Sequence, residues 1–145
     1  MAMRPFWRAW LGFGPSAWQA RGVESDVVNL SVPARPRFGQ LIRVTGANMA
    51  ARLGWSLVDI DQLRVALEAS TDTLLGPLPK KGSLNAAFAV VGEALNVELG
   101  LTDGAEQIPN DRVQSFHEAV DSCVDSAKLD PAAARVFLTK SQSLD

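Results

Sequence analysis

A chain of 145 residues with 47% hydrophobic and 21% charged residues has the composition of one soluble globular domain, long enough to bury a core. Its net charge of -2 is unevenly spread, because residues 1–81 hold 10 Lys and Arg against 6 Asp and Glu, whereas residues 82–145 hold 4 against 10. The acidic second part argues against a broad nucleic-acid-binding surface there. A run of about 18 apolar residues, which a transmembrane helix needs, is absent. The single Cys123 excludes an intrachain disulfide and favours a cytoplasmic location.

Residues 1–25 form an N-terminal extension with an unusual composition. Its first 22 residues contain no acid, and they hold five aromatic and three basic side chains: Phe6, Trp7, Trp10, Phe13, Trp18, Arg4, Arg8 and Arg21. A signal peptide is disfavoured because Arg8 interrupts the apolar region and no clean cleavage site follows. The alternatives are a poorly ordered extension, a misplaced start codon, or an arm that touches a membrane surface or a partner. The folded domain is expected at residues 26–142.

The first half of that domain is predicted to contain one strand and two helices. Apolar residues alternate over residues 27–32, as in a strand. They then follow the 3.6-residue period over residues 36–53, which begin with a proline, as the first turn of a helix allows. Ser56, with Asp59 three residues later, resembles a capping box and begins a second helix over residues 58–75.

The second half is predicted to contain a hairpin, a third helix and a last strand. Alternating apolar residues mark two strands at residues 84–90 and 95–101, with Gly92 at the turn between them. Apolar spacing then indicates a helix over residues 113–127 and a strand over residues 134–139. The order β-α-α-β-β-α-β predicts an α+β fold, a two-layer sandwich of a mostly antiparallel sheet with helices on one face.

The second predicted helix carries two acids four residues apart, Glu68 and Asp72. That spacing is a little over one helical turn, so the two carboxylates lie on the same side of the helix. One acid of such a pair can bind a metal ion that holds a phosphate while the other activates an attacking group. Alternatively, both acids can be ordinary solvent-exposed side chains. His117 and Cys123 are poor candidates for a nucleophile and its base, because six residues on one helix place them on roughly opposite sides.

The element order and three sequence stretches resemble the anti-sigma regulatory kinases of the histidine-kinase/Hsp90-like (GHKL) ATPase superfamily. The likeness is closest over residues 30–74, and it includes Val32-Pro33-Ala34-Arg35-Pro36, residues 50–56 between the helices, and residues 59–69. The resemblance implies a Bergerat-like fold in which Glu68 activates an attacking hydroxyl. Asp72 stands where the family has an Asn that binds magnesium on the nucleotide phosphates. Asp103 corresponds to the Asp that accepts a hydrogen bond from the adenine amino group.

The glycine-rich ATP motifs of that family are missing here. Asp103 is retained, but Leu101-Thr102-Asp103-Gly104-Ala105-Glu106 does not place glycines where the family has them. Residues 110–115, at the start of the third helix, contain no glycine, and a Cβ at each position restricts the positive-φ turns that a phosphate-binding loop needs. We therefore expect no cofactor, or ATP and Mg²⁺ if the nucleotide site is functional.

Three functional hypotheses follow. The first is a protein-binding regulator that retains the fold and binds a sigma factor or an anti-sigma antagonist, with weak or no ATP binding and no direct contact with nucleic acid. Four basic residues around the first helix would contact an acidic partner: Arg35, Arg37, Arg43 and Arg52. The second is an ATP-dependent serine protein kinase with Glu68 as base and Asp72 as magnesium ligand. The third is a non-enzymatic α+β module, anchored through residues 1–22. Members of the family commonly pair as dimers, so a homodimer is also expected.

Overall fold

The computed structural model describes residues 26–102 and 107–143. Within them lie five strands and three α-helices: β1 (Asp26–Pro33), a 3₁₀ turn (Pro36–Phe38), α1 (Gly39–Arg52), α2 (Leu57–Leu75), β2 (Ser83–Val91), β3 (Ala94–Leu101), α3 (Asn110–Val120), β4 (Ser126–Asp130) and β5 (Arg135–Ser141). None of these helices has both the length and the apolar character needed to cross a membrane. The predictions for residues 1–25 and for Asp103 lie outside the described residues.

The strands form one sheet in the order β1-β2-β3-β5-β4, with every neighbouring pair antiparallel. Side chains alternate between the two faces of each strand. The helices pack on one of these faces, so the predicted two-layer α+β sandwich is confirmed.

The main core lies between this face and the helices. Leu63 and Leu67 of α2 are fully buried against Phe88 of β2, Val97 of β3 and Val136 of β5. Burial of each such side chain contributes roughly 1.5–3 kcal/mol relative to leaving it in water. These contacts fix the position of α2 over the middle of the sheet. They therefore also fix the position of Glu68 and Asp72, which α2 carries.

Helices α1 and α2 approach each other closely at Gly46. A Cβ at this position would lie 2.4 Å from Leu67 Cδ1 and 3.1 Å from Phe88 Cε1. The missing side chain therefore lets α1 lie close against α2 and β2.

The prediction for the start of α2 is confirmed in part. Ser56 Oγ accepts a hydrogen bond from the Asp59 backbone N–H at 3.2 Å, as an N-cap residue should. The Asp59 carboxylate, however, does not complete the capping box. It accepts hydrogen bonds from the Oγ of Ser56 and from the Oγ and backbone N–H of Ser143, near the end of the described chain.

The prediction of a third helix reaching residue 127 is wrong. Helix α3 ends at Val120, and residues 126–130 form β4, which pairs with β5. Val120, Val124 and Ala127 fit a helical period, but the intervening Asp, Ser and Cys residues are weak helix formers. Ala127 also alternates with Leu129, and both belong to the main core or pack against it. The last strand begins at Arg135, just after the β4–β5 turn.

Candidate functional site

Glu68 and Asp72 lie on the solvent side of α2, next to buried leucines of the same helix. Both acids are exposed, whereas Leu67 and Leu74 are almost fully buried. Partial burial and the neighbouring Glu68 carboxylate raise the pKa of Asp72, and Arg43 of α1 acts in the opposite direction. The two carboxylates are thus close enough to influence each other, as the four-residue spacing predicts. Their roles as base and magnesium ligand remain predictions.

Arg112, in the first turn of α3, reaches across to the last turn of α2. Its guanidinium donates to the backbone carbonyls of Asp72, at 3.3 Å, and of Thr73. It also lies against Gly76, which ends α2 with a φ of 64°. The last carbonyls of a helix lack partners within the helix, and the helix dipole favours a cation there. Arg112 therefore caps α2 directly beside Asp72.

A small cavity lies beside this contact, between the end of β3 and the start of α3. Its volume is about 130 Å³, and Lys80, Gln107 and Arg112 are its polar lining residues among those described. Pockets that hold drug-sized ligands usually measure roughly 300–1,000 Å³. The cavity is thus basic but small. Residues 103–106 are not described, so the predicted adenine contact of Asp103 stays a prediction.

The four arginines predicted to contact a partner differ in their surroundings. Arg35, Arg37 and Arg52 are exposed: Arg37 lies over the Phe38 ring at 5.0 Å, and Arg52 donates to the side chain of Asn48. Arg43 instead turns towards α2, where it donates to Thr71 Oγ1 at 3.3 Å. Three of the four therefore face solvent, and Arg43 links the two helices.

Besides the exposed arginines, two apolar side chains of α1 face solvent. Leu41 is 49% exposed and Val44 is 53% exposed. Together, Arg35, Arg37, Leu41, Val44 and Arg52 are named the α1 surface below. Basic and apolar groups side by side suit a partner that offers both acidic and apolar side chains.

A buried ion pair that was not predicted from the sequence joins α2 to β5. Lys140 Nζ lies 3.7 Å from Asp59 Oδ1 and donates to Gln62 Oε1 at 2.9 Å and to the Cys123 carbonyl at 2.8 Å. Hydrogen bonds from Ser143 outweigh the effect of burial and lower the pKa of Asp59. The alternation of Val136, Leu138 and Lys140 could have revealed the pair, because it places a lysine on the buried face of the strand.

Arg112 was also missed as a functional residue, although residues 110–115 were considered for their lack of glycine. Its contacts join residues about 40 positions apart. No local pattern signals such a contact. The prediction that one helix carries both His117 and Cys123 is wrong, because α3 ends at Val120. His117 pairs with Asp121, and the Cys123 thiol donates to the Ala119 carbonyl.

Comparison with known proteins supports the predicted resemblance. No family model matches the chain. Relatives named serine-protein kinase RsbW include those of Bacillus velezensis, 29% identical over 75 residues (50% of this chain, 47% of the relative), of Bacillus subtilis strain 168, 30% over 76 residues (50% and 48%), and of Bacillus licheniformis, 29% over 76 residues (50% and 48%). The chain thus spans about half the length of the curated relatives it matches. Over that half, it resembles the RsbW serine-protein kinases.

Proposed function

We propose that this protein is an anti-sigma-factor-like regulator that acts by binding a protein partner, a sigma factor or an anti-sigma antagonist, with weak or no ATP binding. The resemblance to RsbW serine-protein kinases supports the choice of partner class. The proposal therefore separates two properties that a kinase combines, partner binding and nucleotide binding.

The contact of Arg112 with the end of α2 is the observation that carries the second part of the proposal. Asp72 would have to hold magnesium on nucleotide phosphates, and the Arg112 guanidinium is bonded to the carbonyls of Asp72 and Thr73. A bound phosphate group would have to compete with this cap. The charge of Asp72 itself adds repulsion that an Asn at this position would not bring.

The α1 surface supports the first part of the proposal. It offers exposed positive charge from Arg35, Arg37 and Arg52 beside the exposed Leu41 and Val44. An acidic partner with apolar side chains would pair the charges at the rim and bury the apolar groups at the centre, the usual arrangement of a protein–protein interface.

A serine protein kinase is the second candidate, and Glu68 and Asp72 favour it. Both carboxylates are exposed on one side of α2 and would be accessible to a substrate. Magnesium prefers hard oxygen ligands, which Asp72 supplies. In this alternative, Glu68 would accept the proton of a substrate serine hydroxyl while phosphate transfers to that oxygen.

Binding of the purified full chain to purified sigma factors and anti-sigma antagonists tests the proposed partner class. We expect one of them to bind without nucleotide, and the double variant Arg37→Glu, Arg52→Glu to weaken that complex at least tenfold, since rim charges are reversed. Arg64→Glu is the matched control, because Arg64 is exposed on α2 outside the α1 surface. Lack of binding to every member of both classes, or binding unaffected by the double variant, would contradict the proposal.

A further inference from the structure

The sheet has a second face, opposite the helices, and several of the side chains on it are buried. The strand register places residues of the four neighbouring strands β1, β2, β3 and β5 on this outer face, among them Val27, Ala87, Ala89, Glu98, Gly100, Arg135 and Phe137. Ala87 and Ala89 are 0% exposed, Glu98 is 3% exposed and Arg135 is 5% exposed. An alanine or a glutamate on an uncovered sheet face would keep much of its surface in water, so this face is covered.

The described helices do not provide the cover. Their buried apolar side chains belong to the core on the other face of the sheet. Ala87 and Ala89 form a separate cluster, with Val27 and Val91 packed against it. Within residues 26–102 and 107–143, no helix packs on the outer face.

Two buried charged groups, Glu98 and Arg135, lie on this face. Arg135 lies across Gly100, where an added Cβ would meet the guanidinium and Cδ within 2.7 Å. Neither carboxylate oxygen of Glu98 has a hydrogen-bond partner among the described residues. Burial raises the pKa of Glu98 to about 8, with Arg135 acting in the opposite direction. Whatever covers the outer face must therefore exclude water from the Glu98 carboxyl group and be compatible with the Arg135 guanidinium beside it.

We propose that residues 1–25 of the same chain cover the outer face. This segment leads directly into Asp26, where the edge strand β1 begins. It contains five aromatic residues, and its charged residues are three arginines and Glu24. Aromatic rings bury large apolar areas and stack on guanidinium groups, so their chemistry suits both kinds of surface.

Chain length and geometry allow this arrangement. Twenty-five residues can span up to roughly 80 Å when extended. Neighbouring strands lie about 4.8 Å apart, so β3, which carries Glu98, lies only about 10 Å from β1. The segment can thus reach every strand of the sheet from its attachment point.

Thiol labelling of the full chain tests the proposal. In a Cys123→Ser background, Ala89→Cys places a small reporter on the outer face, and Ala119→Cys places a matched reporter at an exposed position on α3. We expect the thiol at position 89 to react with an aromatic disulfide reagent at least about tenfold more slowly than the thiol at position 119. Replacing Trp7, Trp10 and Trp18 by serine should abolish most of that protection and leave the rate at position 119 unchanged.

Three outcomes would overturn the proposal. Equal rates at positions 89 and 119 would mean that the face is open. Protection that persists in the triple tryptophan variant would mean that other residues cover it, and protection lost on dilution would assign the cover to a second copy of the chain. Fluorescence of a full-length Trp55→Phe variant gives an independent measurement, because its three indoles all lie in residues 1–25. The proposal predicts a blue-shifted emission that resists acrylamide quenching, and emission typical of water-exposed indole would contradict it.

Discussion

Glu98 is a buried acid in the middle of the sheet, and its protonation should be visible in the stability of the whole chain. Burial raises its pKa from 4.5 to about 8. Between these values the folded state binds more protons than the unfolded state, so the free energy of unfolding falls as pH rises through this window. Glu98→Gln removes the titrating group, and we predict a flatter pH dependence between about pH 5 and about pH 8.

Denaturant unfolding at several pH values measures this effect. Glu93→Gln is the matched control, because Glu93 is exposed in the β2–β3 turn and should leave the slope unchanged. An unaltered slope in Glu98→Gln would contradict the assignment of a raised pKa to this residue.

Substitution of Arg112 distinguishes two opposite effects of its guanidinium on nucleotide binding: competition with the phosphates, or a contact that binds them. Arg112→Ala removes the cap of α2 and should lower stability by about 1 kcal/mol. If the guanidinium competes with phosphate, affinity for MgATP should rise in this variant, and should rise further when Asp72→Asn is added. Arg64→Ala, an exposed arginine of α2, is the control.

Calorimetric titration of these variants gives the comparison. A fall in affinity on Arg112→Ala would instead mean that the guanidinium binds phosphate, which would favour the kinase alternative.

The sequence predicted some residue contacts and not others, and the difference follows from distance along the chain. The cap by Ser56 and the proximity of Glu68 to Asp72 involve residues about one helical turn apart, so spacing alone reveals them. Arg112 and Lys140 bond to partners 17 to 78 positions away. Contacts of this kind depend on how the elements pack, which spacing does not specify.

At the scale of elements, the ion pair of Asp59 and Lys140 connects the start of α2 to β5. Both side chains are almost fully buried. Removing one partner of a buried pair leaves a charge without compensation, and we predict that Lys140→Met lowers the free energy of unfolding by about 3 kcal/mol. Adding Asp59→Asn to this variant should recover part of the loss, because the remaining buried charge is then gone.

Chemical denaturation of the single and double variants measures this coupling. Lys128→Met is the matched control, since Lys128 is exposed on β4 and should change stability by less than about 0.5 kcal/mol. A loss in Lys140→Met no larger than in the control would show that the pair contributes little. The lowered pKa of Asp59 adds a pH effect: its contribution is present above the unfolded pKa of 3.8 and is lost as pH falls through the folded pKa.

The elements themselves were predicted well where a long periodic pattern met a clear glycine or proline boundary, as in α2 and the β2–β3 hairpin. β4 was missed because Val124 and Ala127 fit the helical period of α3. Strand pairing with β5 across residues 131–134 decided the conformation, and a short apolar run does not reveal such pairing.

At the scale of the whole molecule, the two-layer sandwich followed from element order, but the covered outer face did not. A five-stranded sheet with helices on one side predicts polar residues on the other. Ala87, Ala89 and Arg135 are instead buried there, which points to a further layer over the sheet. We thus propose separate uses for two surfaces: the α1 surface for a partner, and the outer face for residues 1–25.

The central claim is that the protein binds a partner without relying on nucleotide, and a calorimetric titration of the full chain with MgATP tests it most directly. The account predicts no saturable binding tighter than about 1 mM, which corresponds to a free energy of roughly -4 kcal/mol. Saturable binding well below that concentration, accompanied by phosphate transfer to a serine of an anti-sigma antagonist that Glu68→Gln abolishes, would contradict it.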